Sequence, residues 1–173
     1  MSIVITRRGP ISAFVADLPK VELHLHLDGT MEPGLKIVLA ARNAIVLSPD
    51  TEAEIRRSFT AHNDLPSFLA VHYSNMEVLR TARDFEDLAF HYFSVAASDN
   101  VRHAEVFFDP QLHTARGIAF DTMMDGYGRA IERAHRTFGL TIELIMCFLR
   151  DAGAEAAMST LAEARPYADR IIG

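Results

Sequence analysis

Residues 21–29, Val-Glu-Leu-His-Leu-His-Leu-Asp-Gly, set two histidines one residue apart in a run that is otherwise apolar or acidic. The alternation predicts a β-strand with Val21, Leu23, Leu25 and Leu27 on one face and Glu22, His24, His26 and Asp28 on the other. Side chains at i and i+2 on one face stand about 7 Å apart along the strand. Two imidazoles at that spacing can converge on one metal ion, because Zn–N bonds are about 2.0–2.1 Å long. In a parallel barrel such inward side chains line the C-terminal mouth, where active sites are built, and the leucine face packs under helices. An exposed antiparallel strand with hydrogen-bonded structural histidines would alternate in the same way, so the spacing leaves both readings open. A catalytic zinc site takes three protein ligands or more besides water. The other histidines, at 62, 72, 91, 103, 113 and 135, form no His-Glu-x-x-His, Cys/His or second His-x-His pattern. His91 and His135 fall in helical stretches, on exposed or interfacial faces.

The elements that must position this pair follow from periodicity and punctuation. Apolar residues at 11, 14, 15 and 18 predict a short helix halted by Pro19. Pro33 opens a helix running to about Arg42, with Asn43 as its terminator. Leu65, Phe68, Leu69, His72 and Met76 recur at helical spacing, and a further helix starts with Asp84 as N-cap and Asp87 three residues on. Val-Arg-His-Ala-Glu-Val-Phe-Phe predicts a second strand closed by Asp109-Pro110, and a helix from about Phe120 ends at Gly139. Thr-Ile-Glu-Leu-Ile-Met-Cys-Phe-Leu predicts a third strand, apolar on both faces as in a sheet covered by helices. After one more helix, Asp169–Gly173 starts a fourth strand. Strands alternating with helices imply an α/β protein with a parallel sheet and right-handed crossovers. Residues 1–173 are expected to form a single, incomplete domain, with residues 1–18 as an N-terminal extension carrying the short helix.

Composition narrows the functional classes. The net charge of −6, with two lysines and no basic cluster, gives no nucleic-acid footprint. One cysteine, Cys147, excludes an internal disulfide, and no apolar run reaches the ~20 residues of a membrane span. The first ten residues resemble neither a signal peptide nor an anchor. A cytoplasmic protein without membrane or nucleic-acid partners is the expectation.

Four stretches together carry a family resemblance. Leu-Pro-Lys-Val-Glu-Leu-His-Leu-His-Leu-Asp-Gly-Thr-Met-Glu-Pro resembles the opening strand of the adenosine/adenine deaminase family, zinc hydrolases of the amidohydrolase type on a (β/α)8 TIM barrel. The likeness continues through residues 64–73, 99–117 and 143–150, covering nearly the whole chain from Leu18. The unrelated deaminases that pair His-x-Glu with Pro-Cys-x-x-Cys are not matched: His103-Ala104-Glu105 fits the first half, but a chain with one cysteine has no Pro-Cys-x-x-Cys. The resemblance implies that His24 and His26 are the first two zinc ligands. Leu65, Phe68 and Leu69 would line an apolar lid over the purine, whereas helical spacing by itself reads them as core. Leu149 and Arg150 would reach the pocket's edge. It implies zinc-dependent hydrolysis of adenine or adenosine to hypoxanthine or inosine and ammonia, a step of purine salvage, with zinc activating a water.

The family's third zinc histidine, its His-Ala-Gly-Glu segment, a further catalytic histidine and its Ser-Asp-Asp segment do not occur in these 173 residues. The chain is therefore expected to be the N-terminal half of the barrel, truncated near strand 4, with no catalytic residue of its own and no activity alone. Its open edge would favour self-association. The rival readings are a non-catalytic half-barrel binding or assembly module and another metal hydrolase, such as a phosphoesterase with an N-terminal His-x-His. On substrate the signals diverge. Asp28 resembles the adenosine enzymes, in which that carboxylate holds a ribose hydroxyl; the adenine branch generally has Glu there. Phe-Phe-Asp-Pro-Gln-Leu-His-Thr-Ala-Arg-Gly is similar to the adenine branch, with Phe107 where adenosine enzymes tend to have Arg. Cys-Phe-Leu-Arg-Asp departs from that branch's Cys-Phe-Leu-Arg-His at Asp151. The longer match favours the adenine branch.

Overall fold

A computed structural model describes residues 12–48, 52–59, 61 and 64–173; the N-terminal reading through Ile11, and His62, lie outside the described residues. Strand β1 (Lys20–His26) follows a five-residue helix α1 (Ala13–Asp17) and runs into a tight 3-10 turn, Leu27–Thr30. Helices α2 (Pro33–Arg42), α3 (Glu52–Ser58), α4 (Leu65–Met76) and α5 (Ala82–Ser98) lead to β2 (Val101–Phe108). A four-residue helix α6 (Gln111–Thr114) and the long α7 (Phe120–Phe138) precede β3 (Thr141–Met146), and α8 (Gly153–Ala164) follows it. The short α3 and α6 carry no apolar period long enough to read from sequence.

The strands form one parallel sheet in the order β1-β2-β3. The expected fourth strand is present as a beginning: Ile171 bridges Leu144 in parallel, Ile172 N donates to Leu144 O (2.9 Å) and Met146 N to Gly173 O (2.7 Å). The described sheet is open, an α/β half of the expected architecture rather than a closed barrel.

Ala104, Val106 and Phe108 of β2 face a layer made by α5 and α7, which contribute Phe85, Leu88, Phe93, Met123, Met124, Tyr127 and Ala130 to the core. The two helices approach closely at Gly126, where a Cβ would collide with the carbonyl oxygen of Ala82 and the Cβ of Phe85. Gly139, at φ 66°, ends α7 in the left-handed conformation that favours glycine, as its place after the apolar period predicts.

Two expectations about the strands require correction. The third strand is not covered on both faces: Ile142 and Leu144 are buried while Thr141 and Glu143 are exposed, so only one face meets helices. The faces of β1 are also not those of simple alternation. Glu22 pairs with Ala104 and Leu25 with Val106, so three steps of β1 match two of β2, a bulge. Ala104 and Val106 both face the helices, which brings Glu22 into line with Leu25 and away from the histidines. Consistent with that, Tyr92 of α5 has its hydroxyl pKa pushed up to about 12, first by burial and then by Glu22. Val21 and Leu23, expected to pack under helices, are 61% and 52% exposed.

Asp84 is the third residue of α5 rather than its cap; Thr81 caps the helix. The Asp84 carboxylate is buried and accepts from Arg42 Nη1 (2.8 Å), Asn43 Nδ2 (2.9 Å), the Arg80 amide (3.1 Å), and the Thr81 amide (2.8 Å) and hydroxyl (2.9 Å). It joins the end of α2 to the start of α5. Burial raises its pKa, but the hydrogen bonds from Asn43, Thr81 and Arg80 outweigh burial and hold it below the ordinary carboxylate range. Asp84→Asn is expected to cost about 1.5–3 kcal/mol at neutral pH, the worth of a hydrogen bond to a charged group. A depressed folded-state pKa means that this contribution is complete above the unfolded carboxyl value, about 3.9, and is lost as pH falls through the lower folded value. Urea unfolding of wild type and variant should therefore show a constant gap near neutrality that closes in acid.

Candidate metal centre

The ends of the three strands make one rim. His26 is the last residue of β1, Asp109 follows β2, and Cys147 and Leu149 follow β3. His24 and His26 share a face, with ring centroids 5.9 Å apart, and both rings lie against Phe107, at 4.6 and 5.3 Å. Two imidazoles bound to one ion at Zn–N of about 2.0–2.1 Å have centroids roughly 5–6 Å apart, so the pair as folded fits a shared zinc.

His26 Nδ1 lies 2.8 Å from Asp109 Oδ2. An ionised carboxylate only accepts, so Nδ1 carries the proton and the Nε2 lone pair is left for a metal. This is the usual device that fixes a ligand histidine's tautomer and orientation. The His26 side chain is 45% exposed, so the free nitrogen is accessible.

Asp28 does not continue the histidine face. The strand ends at His26, the chain turns, and Asp28 is fully buried beneath the rim. Its Oδ1 accepts from His113 Nε2 (3.0 Å) and the Tyr127 hydroxyl (3.4 Å), and its Oδ2 from the Asp109 amide (3.4 Å). Arg116 Nη2 donates to His113 Nδ1 (2.8 Å), which directs the ring's N–H toward Asp28. Burial raises the pKa of Asp28, but the charge and hydrogen bond of His113, with His72 and the Asp109 amide, bring it below the ordinary range. The same carboxylate and burial push the Tyr127 hydroxyl well above its usual value. Asp28 is thus a buried joint between β1, the loop after β2 and α7.

Beside His26 lies a cleft of about 290 Å³ lined by Phe68, Leu69, His72, Tyr73, Leu112 and Leu149, with Gly29 and Asp109 at its edge. Four residues singled out from the sequence, His26, Phe68, Leu69 and Leu149, therefore meet here. Leu65, at the first turn of α4, is 66% exposed and outside the cleft, and Arg150 is exposed on the turn after β3. The expected positions of His91 and His135 hold: His91 is 13% exposed, 3.4 Å from Glu32, and His135 is exposed. His72 shares the helical spacing of Phe68 and Leu69, and Asp109 closes the second strand, but that these two meet Tyr73 and Leu112 at the cleft follows only from the pairing of β1 with β2 and the packing of α4. Burial lowers the pKa of His72 against the pull of Asp28 and Asp109, which keeps the ring neutral near pH 7. Cys147 is half-buried, with its thiol pKa pushed up to about 11 by burial and by Asp109.

Comparison with known proteins gives these elements a family. The profile described as "Adenosine deaminase" matches residues 19–173. An adenine deaminase from Streptomyces coelicolor is 52% identical over 156 residues, covering 90% of this chain and 46% of the relative. The crystal structure of an adenine deaminase from Arthrobacter aurescens superposes with a TM-score of 0.86 at 41% identity, covering 90% of this chain and 47% of that one. An amidohydrolase from Burkholderia ambifaria, determined with bound zinc, gives a TM-score of 0.78 at 27% identity, over 94% of this chain and 46% of that one. The chain spans about half the length of the curated relatives it matches. Among the described residues no helix is long and apolar enough to cross a membrane.

Asp28→Ala strands a buried imidazole N–H and a buried hydroxyl. The expected cost is about 1–3 kcal/mol for each unsatisfied group, read as a lowered urea midpoint with an unchanged slope.

Proposed function

The chain belongs to the adenosine deaminase family, and from that premise we propose that it builds part of a zinc-dependent site that hydrolytically deaminates a 6-aminopurine, with free adenine as the substrate. The observation that carries this reading is the histidine pair on the rim beside the cleft, with His26 held by Asp109. His24 and His26 are the residues that would hold zinc, and the ion would supply a water activated near neutral pH. Asp109 keeps the His26 ring in the tautomer that presents Nε2. Phe68, Leu69, Leu112 and Leu149 offer apolar surface to a flat purine and exclude water around it. His72, neutral and beside the cleft, can exchange a hydrogen bond with a ring nitrogen.

Adenine is favoured over adenosine by Asp28. Its carboxylate is fully buried and already accepts from His113, Tyr127 and the Asp109 amide, so it is not turned toward a ribose hydroxyl. The similarity to adenine deaminases across 90% of the chain points the same way.

Ammonia release with adenine and adenosine in competition tests the reading on a protein of family length. Adenine should be preferred, and His24→Ala and His26→Ala should each lower kcat/KM by at least about 100-fold, beyond the loss typical of a metal site's outer partners. Preference for adenosine, or full activity in either variant, would overturn it. The 173 residues alone are expected to release no ammonia at an ordinary enzyme rate of roughly 1–10³ s⁻¹, because two histidines leave a catalytic zinc under-coordinated.

A further inference from the structure

Three donors of different chemistry meet on the rim, one of them His26 itself. A ring nitrogen of His26, a carboxylate oxygen of Asp109 and the Sγ of Cys147 all lie within 4.8 Å of one another. We propose that these three residues form a second divalent-ion site, which takes a thiophilic or borderline ion such as cobalt(II), cadmium(II) or excess zinc. It shares only His26 with the proposed catalytic pair and does not depend on the deaminase reading.

The backbone holds the three together. Each residue stands at or just beyond the end of a different strand, and neighbouring strands run about 4.7–4.9 Å apart. Cys147 N donates to Phe108 O at 2.9 Å, extending the pairing of β2 with β3 past Met146 and fixing Cys147 opposite the residue before Asp109. Donor atoms around a tetrahedral ion stand roughly 3.3–3.8 Å apart at normal bond lengths. Closing from 4.8 Å thus needs about 1 Å of side-chain movement, which rotation of Cys147 about χ1 can supply. Among first-row and related ions, the mixed nitrogen, oxygen and sulfur set selects those that accept thiolate, over magnesium or calcium. Three protein donors leave a position for water.

Binding breaks the Cys147 S–H bond; the electron pair stays on sulfur and is donated to the ion, and the proton passes to solvent. The ion also takes Asp109 away from His26 Nδ1; for Nδ1 to bind, its proton moves through solvent to Nε2, which then has no lone pair to offer the catalytic ion. Occupancy of the second site and of the His24–His26 pair is therefore mutually exclusive, and thiophilic ions should act as competitors of the catalytic metal.

Cys147 is the single cysteine of the chain, so any thiolate signal reports on it alone. The probe is cobalt(II) titrated into the metal-free 173-residue protein. A near-ultraviolet thiolate-to-cobalt charge-transfer band should grow to saturation, be absent in Cys147→Ser, persist in His24→Ala, and need about 10- to 100-fold more cobalt in Asp109→Asn. In wild type, cadmium(II) should slow alkylation of Cys147 by iodoacetamide, a measurement that needs no variant. The site is overturned if cobalt gives no charge-transfer band, whether or not it binds elsewhere, or if cadmium leaves alkylation unchanged. A band lost in His24→Ala would also overturn it and would place the cysteine in one site with the histidine pair. Failure of adenine turnover in the family-length protein would leave all these results unaffected.

Discussion

A carboxylate that is cut off from water must have its charge answered by the fold, and at Asp28 that requirement organises the upper half of the molecule. Its partners come from Asp109 after β2, His113 in α6 and Tyr127 in α7, between 81 and 99 residues away in sequence. An unsatisfied buried charge costs several kcal/mol, so β1 cannot settle against β2 unless the loop after β2 and the face of α7 are also in place. Arg116 extends the same chain outward by orienting His113, and through the Asp109 amide it reaches the residue that holds His26.

Around that joint the packing is aromatic and close. Phe85 meets His113 at 4.9 Å and Tyr127 at 5.6 Å, both edge to face, and Phe108 meets Tyr127 at 5.8 Å. These contacts are accessible only because Gly126 lets α7 approach α5, where any side chain would strike Ala82 and Phe85. The Asp84 cluster performs a similar task at another corner, binding α2 to α5 with a carboxylate that stays ionised in the fold. The floor of the rim is thus buried and closely packed, while the histidines above it remain open to solvent.

The bulge in β1 explains how one strand serves two roles. Simple alternation would line Glu22 up with the histidines and add a carboxylate to their face. The extra residue between Glu22 and Leu25 sends Glu22 to the helix side and leaves His24 and His26 against the Phe107 ring. Bulges beside functional sites commonly re-aim a side chain in this way. The result on the rim is a nitrogen-rich pair with an acidic partner and a thiol at its inner edge.

What the sequence determined by itself was local or family-wide. Period and punctuation placed β2, the ends of α7 and the parallel order of strands, because side-chain spacing, Pro33 and Gly139 act within a few residues of where they stand. The string around His24 and His26 carried the family, and helical spacing brought Phe68 and Leu69 to one face. The face of Glu22, the burial of Asp28 and the bond from His26 to Asp109 were decided only by tertiary structure. Each depends on the register between β1 and β2, whose partners are about 80 residues apart. A bulge in that register has no mark in composition, and a carboxylate on an alternating strand looks exposed until the partners that bury it are in place. His113 and Cys147 were plain residues in the sequence for the same reason. Their chemistry comes from neighbours that only the folded sheet and its helices supply.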